Sequence, residues 1–392
     1  MRKNLQLIAL LRSLATGIIA PVLTLMALSH GATIVTLSLA NSFYAFTVIA
    51  AEFPSGVFAD LFGRKRSFVI SSVFVLLSYM LFLFSHSFLM LIFAMVSFGL
   101  GRAFASGSID ALAIDETSTD EELVKVTSRL AVLESVGLSV GSLAGGFLAG
   151  IGSAYAGNLL ACTAVIGVML LITLFTVHER SPRDRRKEER PRLRTHLSEN
   201  FRFIKRRGIV RILIVFSILS GLGMMAVETY WQPAINGYGA APWMLGVINF
   251  VGFGMVIVGS KLNEWFLTRK PSSSKALMLV QRALWGGSMF GMWLSGGKTT
   301  FVGSYSLGYL FLGGASVAES TMLNREAPSA QRASILSMFS FLLQIGGLLG
   351  SLGSYWIVMG LGYRAMWPIM GTLIIASALG FAVRTFLQKK GT

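Results

Sequence analysis

Long apolar stretches and short polar breaks alternate along this chain from end to end. The apolar stretches run at 5–29, 33–59, 67–85, 88–114, 123–150 and 155–177, and again at 209–235, 241–267, 275–296, 299–323, 333–359 and 363–385. Each is close to or above the roughly 20 residues that an α-helix needs to cross a bilayer. None shows the ten-residue alternation of a barrel strand. In lipid every peptide group must find its partner internally, and a helix supplies that partner along its own length. The pattern predicts twelve membrane-spanning helices, six on either side of one polar segment. Several stretches near 27 residues can span with tilt. The opening residues, MRKNLQLIALL, have the charged and apolar regions of a signal peptide, but many spans follow and no cleavage site is evident, so they read as the first helix.

Composition agrees with a lipid solvent. Of 392 residues 54% are hydrophobic and only 13% are charged, where soluble domains carry about 25% charge. The net charge of +16 raises the question of nucleic acid, and the placement of the 34 Lys and Arg answers it. Twelve fall between His178 and Gly208, and the others lie mostly in short turns and at the chain ends. No folded basic domain surrounds them, so no nucleic-acid partner is expected. The turns near 30, 86, 152, 238, 297 and 361 hold only Lys298 and Arg364 as cations, while the alternate turns hold Arg64, Lys65, Arg66, Lys261, Arg269, Lys270 and others. Cytoplasmic loops keep the cations, which predicts both termini in the cytoplasm and a plasma (inner) membrane location. The single cysteine, Cys162, excludes an intramolecular disulfide, and four scattered His suggest no metal site.

The segment 178–208 reads as the one linker, a basic cytoplasmic stretch between an N-terminal six-helix bundle, 1–177, and a C-terminal one, 209–392. Pro182 and Pro191 oppose a continuous helix, whereas 195–207 can form an amphipathic surface helix with Leu197, Phe201 and Ile204 on one face. The halves repeat. A displacement of 209 sets Asp110 on Glu319, Asp115 on Asn324, Gly137 on Gly346 and Gly141 on Gly350. A displacement of 203 sets Gly56 on Gly259 and Asp60 on Asn263. Two like halves joined by a linker describe a transporter that rocks about a midplane site.

The turn Gly56-Val-Phe-Ala-Asp60-Leu-Phe-Gly63-Arg64-Lys65-Arg66 concentrates charge between two apolar runs. Gly56 would permit close helix contact and Gly63 a tight turn, while the cations would hold the turn in the cytoplasm. The stretch resembles the loop between the second and third helices of the major facilitator superfamily, Gly-x-x-x-Asp-x-x-Gly-Arg-Lys/Arg, with Leu61 departing from the usual basic residue. The resemblance implies a conformational latch in which Asp60 and Arg64 engage the end of the fourth helix, with Asp115 or Glu116 as its acid. The competing reading is a topology determinant alone. On the fifth span, Gly137, Gly141, Ser142, Gly145 and Gly146 resemble the signature Gly-x-x-x-Gly-Pro-x-x-Gly-Gly of the proton-driven drug exporters. Ser142 replaces the proline, so the associated kink is not expected, and small residues at this spacing also serve as ordinary packing surface. Arg102, in GLGRAFASGS, sits where those exporters carry an arginine.

Ionisable side chains inside a membrane cost at least about 2.5–3.5 kcal/mol each, so they face a cavity or a partner. Arg12, Arg102, Asp110, Glu134, Glu228 and Glu319 are so placed, with Glu52 and Arg282 nearer the cytoplasmic surface. Helical rise sets Arg102 and Glu134 at one depth and Arg12 and Asp110 at another, so the four can form one network in the first half. An acid there is neutral when isolated and ionised beside an arginine, which lets a proton gradient drive the protein. A permanent ion pair that fixes helix register is the plainer reading. Glu319 is the candidate proton site of the second half. Glu228, with Met224, Met225 and Trp231, suits a lipophilic cation, although a Tyr-Trp pair is also a common interfacial anchor. Asn249 and Gln344 are candidate cavity amides or interhelical hydrogen-bonders. SGGKTT, 295–300, is no phosphate loop, because the leading glycine would fall on Met292.

These observations predict an all-α integral membrane protein of twelve helices in two pseudo-symmetric bundles. The resemblance implies a monomeric secondary transporter without a cofactor, driven by protons and exporting hydrophobic or cationic small molecules. Uptake or export of an endogenous metabolite, lipid or organic anion competes with that cargo, since Arg12 and Arg102 equally suit an anion. A non-transporting sensor or scaffold is the third possibility.

Overall fold

The computed structural model describes residues 2–106, 108–115, 119–179, 208–326 and 332–390. Among them are fourteen α-helices, two short 3-10 turns and no strand. The first apolar stretch is two helices, α1 (Lys3–Ile19) and α2 (Leu23–Ser29), bent by 55°. Pro21 lies at the break. It lacks an N–H and its ring clashes with the carbonyl four residues back, so one straight helix over 5–29 is not formed. Next come α3 (Leu37–Phe62), α4 (Arg64–Leu83), α5 (Phe88–Ala105), α6 (Ile109–Asp115), α7 (Asp120–Leu148) and α8 (Ala156–Thr176). After the linker come α9 (Gly208–Gly237), α10 (Pro242–Arg269), α11 (Ser274–Trp293), α12 (Lys298–Glu326), α13 (Arg332–Leu361) and α14 (Met366–Lys390). The amphipathic helix expected over 195–207 lies outside the described residues.

Ten segments are long and apolar enough to cross a membrane, and the bent α1–α2 pair makes an eleventh. The twelfth stretch is α11, whose 20 residues include Lys275, Gln281 and Arg282 and are correspondingly less apolar. The protein is therefore an all-helical, multi-pass membrane protein.

Packing divides the chain into two units, Met1–Glu189 with Ala241–Phe250, and Arg190–Ala240 with Val251–Thr392. In the first, α1 packs on α7 and α8, α4 on α5 and α8, and α3 on α5. Backbones approach closely where glycine removes the side chain. A Cβ on Gly137 would stand 2.7 Å from Ser13 Cβ, and one on Gly141 would stand 2.8 Å from Gly17 Cα. The glycine pattern of the fifth span is thus the α1–α7 contact. α7 runs unbroken through Ser142, as the missing proline leads one to expect. Serines join α4 to α5: Ser71 Oγ donates to Gly101 O at 2.7 Å, Ser78 Oγ to Ala94 O at 2.9 Å, and Ser97 Oγ returns a bond to Phe74 O at 2.8 Å. Lipid supplies no hydrophobic drive between helices, so such contacts hold the bundle. Asn158, fully buried, donates to Ile18 O and Gly145 O at 3.0 and 2.8 Å and ties α8 to both partners.

The second unit repeats the device. α9 packs on α13 and α14, and α11 on α12 and α14. Glycines again serve the first contact. A Cβ on Gly221 would meet Gly347 N at 2.6 Å, and one on Gly350 would meet Met225 Cε at 2.8 Å. Gly346 and Gly350 stand where the 209-residue displacement sets Gly137 and Gly141.

Candidate functional site

Helical spacing brings polar side chains of the first unit onto one inward surface. Arg12 and Thr16 are one turn apart on α1, Phe98 and Arg102 one turn apart on α5, and Glu134 and Leu138 one turn apart on α7. Together with Asp110 of α6 they line a single cavity of about 470 Å³. Ser13, Ser71, Ser72 and Tyr79 add hydroxyls, and Phe68, Ile166 and Met169 add apolar wall. The four charges expected to meet in the first half therefore do share one space.

They are not equally engaged. Arg12 Nη2 donates to both carboxylate oxygens of Asp110, at 2.9 Å to Oδ2 and 3.1 Å to Oδ1. Arg102 and Glu134 are exposed on the cavity side, and no ion pair joins either to a described residue. The Arg102 guanidinium interacts with the hydroxyl of Tyr44 on α3. Tyr44 is a residue the sequence did not single out, since one tyrosine among apolar neighbours carries no periodic signal.

In the second unit Glu319 binds the guanidinium of Arg282 through Nε, at 2.5 Å, and Nη2. The arginine is only 2% exposed and the glutamate 18%. The rings of Trp285 and Phe216 lie 5.3 and 5.5 Å from the guanidinium carbon. Arg282 is a core residue of the bundle, a burial that its expected depth near the cytoplasmic surface did not specify. Glu319 also borders a cavity of about 250 Å³ with Ser217, Ser220, Ser316, Ser320 and Ser340.

Glu228 is exposed on α9 and accepts a hydrogen bond from the Tyr309 hydroxyl. Met224, half-buried one turn away, borders a space of only about 10 Å³. Met225 lies under Gly350. Tyr230 and Trp231 are 0% exposed, which corrects the reading of this pair as a membrane anchor. Trp231 packs against Tyr305 inside the unit, with ring centroids 5.2 Å apart and planes tilted by 40°. Asn249 is buried and donates to Ser142 Oγ at 3.0 Å within the first unit. It is an interhelical hydrogen-bonder rather than a cavity amide. Gln344 is half-buried on α13.

At the turn between α3 and α4, Gly63 has φ +103°, a conformation that favours glycine. Arg64 N and Lys65 N donate to the two carboxylate oxygens of Glu179, each at 2.9 Å. A carboxylate on the first N–H groups of a helix satisfies orphan donors and complements its dipole. Lys65 Nζ donates to Leu174 O at 2.8 Å. The acid at this turn is thus Glu179, hidden in the sequence at the head of a mostly basic run. Asp60 is exposed, Glu116 and the side chain of Asp115 lie outside the described residues, and among the described residues no atom beyond Gly56's own helical turn comes within 4 Å of a Cβ built there. Gly56 therefore makes no close helix contact, which corrects the role expected for it.

A family model for the Major Facilitator Superfamily matches residues 5–306. A relative from Bacillus subtilis (strain 168), described as the uncharacterized MFS-type transporter YxaM, is 26% identical over 249 residues, 62% of this chain. The chain spans 60% of that relative's length. Among solved structures, the nucleoside transporter NupG superposes with a TM-score of 0.78 at 16% identity, covering 98% of this chain and 99% of its own. A D-xylose-proton symporter superposes with a TM-score of 0.72 at 16% identity, covering 96% and 95%. At such identities the likeness is one of fold. The chain belongs to the major facilitator superfamily.

Proposed function

We propose that this member of the superfamily is a proton-coupled secondary transporter that works by alternating access, with Arg12, Asp110, Arg102 and Glu134 as its coupling group. The observation that carries the reading is that four ionisable side chains from four helices border one cavity and, among the described residues, ion pairing joins only Arg12 and Asp110. A proton arriving on Asp110 neutralises it and releases Arg12, which then needs another acid. Glu134, on the same wall, is the available one. Exchange of arginine partners within a bilayer is a two-state event, because leaving either charge alone is costly. Glu319 with Arg282 is the corresponding acid of the second half, held more tightly.

The moving bodies are the halves 1–177 and 209–392, with the basic linker and both termini on the cytoplasmic side of the plasma (inner) membrane and a single chain as the working unit. The turn at Gly63, Arg64 and Glu179 acts as the latch, with Asp60 at its rim.

Export is the direction implied by the fifth-span glycines. Hydrophobic or cationic cargo draws less support from the geometry. Trp231 and Met225 turn into the core, and the first-unit cavity sets two arginines and two acids in a wall that is otherwise largely apolar. A polar metabolite fits that cavity better.

The test uses purified protein in weakly buffered detergent, with a nucleoside, D-xylose, a dipeptide and the lipophilic cation ethidium as probes. Binding of at least one probe should release protons, and Asp110→Asn should abolish the release while leaving binding. Binding without any pH change in the native protein would remove proton coupling.

A further inference from the structure

The cavity of the first unit carries two formal charges that no ion pair among the described residues neutralises. Arg12 and Asp110 satisfy one another. Arg102 and Glu134 border the same space, exposed, without an ion pair to each other or to any described residue. An uncompensated cation and an uncompensated anion within a membrane call for a ligand that brings the opposite pair. The hydroxyls on the wall point the same way. Ser13, Thr16, Ser71 and Ser72 each give their proton to a helix carbonyl, to Ala9 O, Arg12 O, Gly101 O and Phe68 O. A hydroxyl that has donated its only proton offers lone pairs alone, so it receives a donor such as an ammonium group. The volume of about 470 Å³ lies within the range of sites for small organic ligands.

We propose that this cavity takes an amphoteric small molecule, one with both a carboxylate and a protonated amine, the carboxylate on Arg102 and the amine on Glu134. This rests on the reading of the cavity as the transport site. A purely cationic cargo leaves Arg102 in the cavity without a counter-charge. A purely anionic one leaves Glu134 in the same position. Arg102 presents a planar fork suited to a carboxylate. The substrate's amine and a coupling proton compete for Glu134, so arrival of one expels the other, which is the requirement for exchange.

The inference is tested by thermal stability and by equilibrium binding on the purified full-length protein. The probes are three matched series: free amino acids and dipeptides, their N-acetyl derivatives, which are anions, and their C-terminal amides, which are cations. Members of the free series should stabilise the protein and bind at least tenfold more tightly than either capped counterpart. Arg102→Gln should erase binding of the free series. Glu134→Gln should bring the N-acetyl derivatives level with their parents. If acetylated or amidated probes bind the native protein as well as their parents, or no free member binds, the substrate class is wrong, and this comparison requires no variant. Zwitterion binding without proton release would instead overturn the coupling and leave the substrate class standing.

Discussion

A single guanidinium nitrogen of Arg12 bridges both carboxylate oxygens of Asp110, a residue 98 positions away. The pair joins α1 to α6 across the cavity, and it is only partly shielded, with side chains 24% and 38% exposed. Arg282 and Glu319 of the second unit, at 2% and 18%, are the contrasting case. One arrangement can open at modest cost, whereas the other is anchored.

That contrast predicts an order of stabilities. Removing one partner of a fully buried pair costs roughly 3–5 kcal/mol, because the other charge is left unpaired. Glu319→Gln should approach that figure, and Asp110→Asn should fall well below it, since Arg12 can reach water in the cavity. Thermal unfolding of the purified variants in one detergent measures both. Equal losses would mean that the Arg12 pair is a fixed structural tie.

The exchange of partners at Arg12 has its own signature. Asp110→Asn should reduce transport driven by a pH gradient by about tenfold or more, the effect of roughly 1.4 kcal/mol, while exchange of labelled for unlabelled substrate continues. Vesicles reconstituted with each variant separate the two activities. Driven transport at the native rate would exclude Asp110 from coupling.

Close approach at α1–α7 makes Gly141 intolerant of a methyl group. A Cβ there would stand 2.8 Å from Gly17 Cα. Overpacking of this kind costs about 1–3 kcal/mol, so Gly141→Ala should lower the melting temperature. Gly254→Ala, where a Cβ meets nothing within 4 Å, serves as the matched control and should be neutral.

Ser142 and Asn249 form a buried pair whose members differ in what they leave behind. Ser142→Ala strands the Asn249 amide, a loss of about 1–3 kcal/mol. The double variant Ser142→Ala with Asn249→Leu removes both polar groups and should recover most of it. Additive losses in a double-mutant cycle would show that the two groups do not interact.

Glu179 should govern order at the start of α4. Glu179→Ala removes the acceptor of two backbone N–H groups, and a charge at a helix N-terminus is worth about 0.3–1 kcal/mol, more when partly buried. Hydrogen exchange at Arg64 and Lys65 should accelerate several-fold in Glu179→Ala and less in Glu179→Gln. Unchanged exchange at both amides would show that the cap contributes nothing.

Hydropathy alone set out twelve membrane segments, because twenty apolar residues in a row have one stable form in lipid. Charge asymmetry and the Gly56–Arg66 pattern pointed to the family, and helical rise set Arg12 with Asp110 and Arg102 with Glu134 at matching depths. Which side chains then touch was decided by helix rotation and crossing. In helices that are apolar nearly all round, no periodic stripe in the sequence records that rotation. So Arg12 finds Asp110 while Arg102 meets no acid among the described residues, Arg282 sinks into the core onto Glu319, and Trp231 turns inward onto Tyr305. Glu179 reaches Arg64 across 115 residues. Depth is a one-dimensional property that the chain carries in its order of residues, whereas pairing depends on angles that exist only once the helices have packed.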